Sequence, residues 1–209
     1  MADNLVPSGA FKSLRKLTLK DPNPVKIACY SLSRVFVKIT EHSGSLPYLR
    51  QVTLSRLGLD MNSLMCLADS VTCLQNLRSL DISQNGLNAN HLIAFFNKIL
   101  GNNTLKSLNV SYNSGFKKIR NAEEERFEDS ISNFLHFQNG LVHFDMSGLA
   151  LPYESLEEIA LNGIRKSRTL QCVHLSGMNL NEYQQADFRK ALRVIEVCSR
   201  KGQADPRID

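Results

Sequence analysis

His143, Asp145, Cys172 and His174 are side chains of the kinds that ligate metals or pair as nucleophile and base. The chain writes them as two short phrases, His-x-Asp and Cys-x-His, that begin 29 residues apart (143 to 172). In an extended strand, residues two apart share a face, so each phrase offers its pair on one side. Whether the two pairs meet depends on what sets the segments side by side.

That frame is read from Leu77 to Leu87, LRSLDISQNGL. Leu77, Leu80, Ile82, Asn85 and Leu87 fill the fixed positions of the template L-x-x-L-x-L-x-x-N-x-L, the strand and turn of a leucine-rich repeat. Further copies begin at Leu14, Leu49, Leu105, Leu141 and Leu170, so successive starts lie 35, 28, 28, 36 and 29 residues apart. The first copy breaks off at Pro22 and Pro24, and the fourth has Gly115 where Leu is expected. A period near 28 leaves room for a strand, a turn and a full helix. The two longer intervals are read as insertions between strand and helix.

From Phe11 to Cys198 the chain resembles the ribonuclease-inhibitor-like family of leucine-rich repeats. The phrase Asn103-Thr104-Leu105-Lys106-Ser107-Leu108-Asn109 also looks like the repeats of tropomodulin-like actin-capping proteins and of Ran GTPase activators. The resemblance implies an α/β leucine-rich repeat solenoid: a right-handed β-α superhelix in a horseshoe arc, with a parallel concave sheet and convex helices. It implies a scaffold and not a chemistry.

Alternation along each strand sends template positions 4 and 6 into the core and positions 3, 5 and 7 to the concave surface. Position 7 is Lys20, Ser55, Ser83, Ser111, Ser147 and Ser176, read as a low polar strip where strands crowd. Position 5 contributes Asp81, Asn109, Asp145 and His174; position 3 contributes His143 and Cys172; Tyr112, at position 8, is the nearest aromatic anchor. Asp81, Asn109, Tyr112, His143, Asp145 and His174 are therefore the candidate partner-binding set. Position 2 aligns Arg15, Arg50, Arg78 and Lys106 as a basic edge, either ordinary solvation or a seat for an acidic protein surface or phosphate. The register also brings His143, Asp145, Cys172 and His174 together. Nothing on a flat sheet fixes tetrahedral geometry, so they are read as a polar patch whose charge changes at about pH 6.5. No metal, cofactor or catalytic role is assigned, and a zinc titration is expected to give no micromolar binding.

Bulk properties narrow the classes. In 209 residues, 43% hydrophobic and without Trp, Leu and Ile can fill one continuous stacked core. A net charge of +5, with no aromatics interleaved for base stacking, argues against nucleic acid. Cys29, Cys66, Cys73, Cys172 and Cys198 follow no paired spacing; they are read as reduced and mostly buried, which suits a cytoplasmic location. No segment approaches the ~20 apolar residues of a membrane span, and MADNLVPSGAFKS carries no signal-peptide core. Asn102-Asn103-Thr104 fits a glycosylation acceptor that such a location would leave unused.

Residues 1–13 are read as a lead-in or truncated preceding repeat, 14–181 as the solenoid, 182–200 as a closing helix and 201–209 as a polar tail. Leu5, Val6 and Phe11 make a weak cap, so the chain is expected to be a segment of a larger protein. Helices are expected from Ile27, from Asp60 or Asn62, from Asn88 or Asn90, within the charged insertion near Phe116–Glu128, and from Pro152. That insertion is either a solvated helix extension or a contact element. The reading reached is a non-enzymatic protein-binding module, cytoplasmic and associated with a scaffold or the cytoskeleton. The alternatives are a GTPase activator of the Ran type, testable by GTP hydrolysis with small GTPases, and an architectural spacer.

Overall fold

A computed structural model describes residues 13–20, 29–41, 46–113, 121–178, 180–191 and 196–198. Seven strands form one parallel sheet in strict sequence order: β1 Lys16–Lys20, β2 Gln51–Ser55, β3 Ser79–Asp81, β4 Ser107–Asn109, β5 His143–Asp145, β6 Cys172–His174 and β7 Glu196–Cys198. Between them run α1 Cys29–Glu41, α2 Met61–Cys73, α3 Ala89–Lys98, α4 Asn121–Phe137, α5 Tyr153–Ile159 with a π-helical continuation over Ala160–Ile164, and α6 Glu182–Ala191. Strand, turn, helix and return recur in each unit, the leucine-rich repeat solenoid expected from the template.

The register is the template's own. Gln51, Ser79, Ser107, His143 and Cys172 pair in line, as do Thr53, Asp81, Asn109, Asp145 and His174. Positions 1, 4 and 6 are buried in copies two to five, from Leu49, Val52 and Leu54 onward, and position 11 is buried at Leu59, Leu87 and Leu151, because each unit closes its apolar face only against its neighbours. The helices turn their apolar stripes to the same core: Leu64, Leu67, Ala68 and Val71 on α2, Leu92, Phe95 and Phe96 on α3, and Phe127, Ile131, Phe134 and Leu135 on α4. Phe96 and Phe134 stack at 4.8 Å between ring centroids, tying α3 to α4. The starts of α2 and α3 are capped by side chains. Asp60 accepts from Ser63 N at 2.8 Å, and Asn88 accepts from His91 N at 3.0 Å.

Asn85 and Asn113 carry the turn layer. Asn85 Oδ1 accepts from Leu57 N at 2.8 Å, and its Nδ2 donates to Leu54 O and Ile82 O. Asn113 Oδ1 accepts from Asn85 N at 2.9 Å and Leu87 N at 3.1 Å, and its Nδ2 donates to Val110 O at 2.7 Å. Each amide thus satisfies buried backbone groups that the bend takes out of the ladder.

Three expectations are corrected. The closing helix does not run to Arg200: α6 ends at Ala191 and Glu196–Cys198 adds a seventh strand beside β6. Val197 is β-branched, a residue type that favours an extended chain, and the edge of β6 gives this segment a partner. The position-7 serines form a sunken strip and not an open one: Ser55, Ser83, Ser111 and Ser147 are buried, yet Ser55, Ser83 and Ser111 still line the concave cleft. At position 8 the chain takes the left-handed conformation, at Arg56, Gln84, Tyr112, Gly148 and Gly177. Cys66 and Cys73 are half-buried, whereas Cys172 is buried. The expectations for Leu5, Val6, Phe11, Pro22, Pro24, Ile27, Gly115, the insertion up to Arg120 and the tail from Lys201 lie outside the described residues.

Candidate functional site: the concave sheet face

The concave face carries a cleft of about 280 Å³ whose lining includes Thr53, Asp81, Asn109, Tyr112 and Asp145. Four of the six residues singled out from sequence therefore share one depression, built by strands β1 to β5, with Lys20 of β1 also in its lining. Their side chains also have local work. Asp81 Oδ1 accepts from Ser83 N at 2.9 Å, Asn109 Oδ1 from Ser111 N at 2.9 Å, and Asp145 Oδ1 from Ser147 N at 3.0 Å. Each is a side chain bonding the backbone two residues on, at the point where the strand ends. The position-5 acids and amide thus hold the turns while facing the cleft.

Tyr112 stands at the rim with φ of 53°. Its ring lies over Gly148, the position-8 residue of the next repeat; a Cβ there would stand 2.6 Å from Tyr112 Cδ1. Gly148, at φ 65°, is both left-handed and in the ring's path, so no side chain fits without moving Tyr112. One step toward the N-terminal repeats, Arg56 Nε donates to Gln84 Oε1 at 2.7 Å. This left-handed column was missed from sequence. Gly148 and Gly177 hinted at it, but Arg56, Gln84 and Tyr112 are non-glycine residues that give no such signal.

The other two predicted residues lie one strand further on. His143 is exposed at the start of β5, directly opposite Cys172 on β6, with His174 two residues along the same strand and face. The ligand atoms of His143, Cys172 and His174 all lie within 4.8 Å of one another, and Cys172 Sγ is 3.4 Å from His174 Nε2. Asp145, the fourth residue of the sequence-level cluster, is engaged with the Ser147 backbone instead.

The basic edge divides. Arg15, Arg50 and Lys106 are exposed. Arg78 is half-buried, and its Nη1 donates to the carbonyls of Gln75, Leu77 and Thr104 at 3.1, 3.2 and 3.3 Å, bracing one repeat against the next. The Asn102 amide of the acceptor-like triplet is likewise internal. It accepts from Thr104 N at 3.0 Å and Leu105 N at 3.1 Å and donates to Val71 O. Among the described residues no helix is long and apolar enough to cross a membrane.

Strand order, register, buried template positions and a sculpted concave face define a leucine-rich repeat protein of the helix-containing kind. Solved structures agree at the level of fold. The C-terminal domain of tropomodulin from Caenorhabditis elegans superposes with a TM-score of 0.53 at 12% identity, over 86% of this chain and 90% of that one. The leucine-rich repeat protein LegL7 from Legionella pneumophila superposes with a TM-score of 0.56 at 17% identity, over 97% of this chain and 71% of that one. No family model matches the sequence, and neither does any curated protein.

Proposed function

We propose that this chain is a non-enzymatic protein-binding module that holds its partner in the concave cleft and against the adjoining loops. The observation that supports this is the cleft itself: Asp81, Asn109, Asp145 and Tyr112, read from sequence as binding residues, line one polar hollow of about 280 Å³. The backbone ladder and turn bonds fix its walls, so little order is lost when a partner settles there. Two carboxylates in the lining, Asp81 and Asp145, outweigh the one cation there, Lys20, and favour a protein segment with basic or hydrogen-bond-donating groups over nucleic acid. A cytoplasmic, scaffold- or cytoskeleton-associated setting fits five cysteines that follow no paired spacing, and the tropomodulin domain offers a precedent for the architecture.

The test is capture of partners by the immobilised chain, followed by cross-linking and mass spectrometry. Alanine at Asp81, Asn109 and Asp145 together would remove three turn bonds, confusing lost binding with lost fold. Asp81→Asn with Asp145→Asn keeps the oxygen that accepts from the backbone and removes only the charge. Thr53→Arg fills the hollow from a neighbouring strand. Loss of the same partners with both variants supports the concave face; recovery of every partner at wild-type yield by both rejects it.

A further inference from the structure

We infer that His143, Cys172 and His174 form a binding site for a zinc-class divalent ion at the C-terminal end of the concave face. The chemistry is two imidazole nitrogens and one thiolate, a donor set suited to a borderline-soft ion such as Zn²⁺ and poorly suited to Mg²⁺ or Ca²⁺. Sequence reading discounted a metal because a flat sheet fixes no tetrahedral arrangement. The parallel register supplies what was missing: His143 faces Cys172 across adjacent strands, and His174 shares its strand and face with Cys172. Ligand atoms therefore approach from two strands at three corners of a small triangle.

Distances support the assignment. Zn–N of ~2.0–2.1 Å and Zn–S of ~2.3 Å put tetrahedral ligand atoms roughly 3.3–3.6 Å apart. Cys172 Sγ and His174 Nε2 already stand at 3.4 Å, and no separation in the triad exceeds 4.8 Å. His143 is exposed, so its ring has room to turn toward the other two ligands. The burial of Cys172 and the partial burial of His174 restrict those two ligands before the ion arrives. On binding, the ion takes a lone pair from each imidazole, the Cys172 thiol gives its proton to solvent, and the thiolate coordinates. A water fills the fourth position, which faces the concave side. The site adjoins the proposed partner cleft but does not depend on it.

The experiment uses the full chain, reduced and stripped of metal, with Co²⁺ as a spectroscopic probe and Zn²⁺ as competitor. The expected result is one equivalent of Co²⁺ giving tetrahedral d–d bands and a thiolate-to-cobalt charge-transfer band, both abolished by one equivalent of Zn²⁺ at micromolar concentration. His143→Gln, at an exposed position, should fold normally by circular dichroism and weaken Zn²⁺ at least ~10-fold. Cys172→Ser should remove the charge-transfer band, while Cys66→Ser with Cys73→Ser should leave it unchanged. If Cys172→Ser fails to fold, the His143→Gln affinity still decides the question. No binding to wild type, a band that persists in Cys172→Ser, or undiminished affinity in His143→Gln would each overturn the assignment.

Discussion

The amide of Asn113 offers the sharpest test of how the repeats are held together. The residue is fully buried, and its Oδ1 is the acceptor for two backbone N–H groups of the preceding repeat, Asn85 N at 2.9 Å and Leu87 N at 3.1 Å. Asn113→Ala removes that acceptor. Each orphaned buried N–H costs about 1–3 kcal/mol, so two orphans give about 4 kcal/mol, a shift of roughly 10³-fold in the folding equilibrium. Carbonyl losses add less, because Ile82 O still receives Asn85 Nδ2 at 2.9 Å. Urea unfolding followed by circular dichroism measures the global loss. Solenoids can fray instead of unfolding as one unit, so amide hydrogen exchange at Asn85 and Leu87 gives the local readout, with protection at both falling by a similar factor. A loss below about 1 kcal/mol, with exchange at both amides unchanged, would refute the claim that this side chain satisfies the bend.

Three further outcomes follow from the same geometry. Gly148→Ala should destabilise by about 2–3 kcal/mol, combining a left-handed penalty of about 1 with displacement of the Tyr112 ring; in a Tyr112→Ala background the same change should cost only about 1 kcal/mol, as a double-mutant cycle will show. Asp81→Asn should leave the melting temperature close to wild type, whereas Asp81→Ala, which removes the acceptor for Ser83 N, should lower stability by about 1 kcal/mol. His91 should make stability pH-dependent. Burial lowers its pKa, and the Asp60 carboxylate only partly opposes this. The unfolded chain therefore takes up the proton first, so stability is constant above the ordinary histidine value of about 6.5 and declines as pH falls through and below it. His91→Gln, which retains an acceptor at the third helical position, should flatten that decline in thermal melts across the window.

Much of this molecule was legible in its sequence because the repeat is a local rule applied again and again. Leu77, Leu80, Ile82 and Asn85 announce one unit, and matching residues at the same offsets announce the others, so strand order, register and inward positions follow without three-dimensional information. The candidate binding residues were legible for the same reason: alternation alone put Asp81, Asn109 and Asp145 on one face.

What the sequence left open lay where a residue's role depends on its neighbours in space. Position-7 serines read as an open strip, yet they sit sunken in the cleft, each followed by a left-handed residue, and Arg56, Gln84 and Tyr112 carry no mark of that conformation. The segment after Ala191 read as helix from its apolar spacing, but a waiting strand edge and the β-branched Val197 made Glu196–Cys198 a seventh strand. Arg78 belongs to a cationic column by sequence and to the backbone of two repeats by structure. His143, Cys172 and His174 are separate letters until parallel pairing brings their ligand atoms within 4.8 Å. Periodicity states which face a side chain occupies; only packing between repeats decides what it meets there, because hydrogen bonds and coordination depend on distances that local spacing does not set.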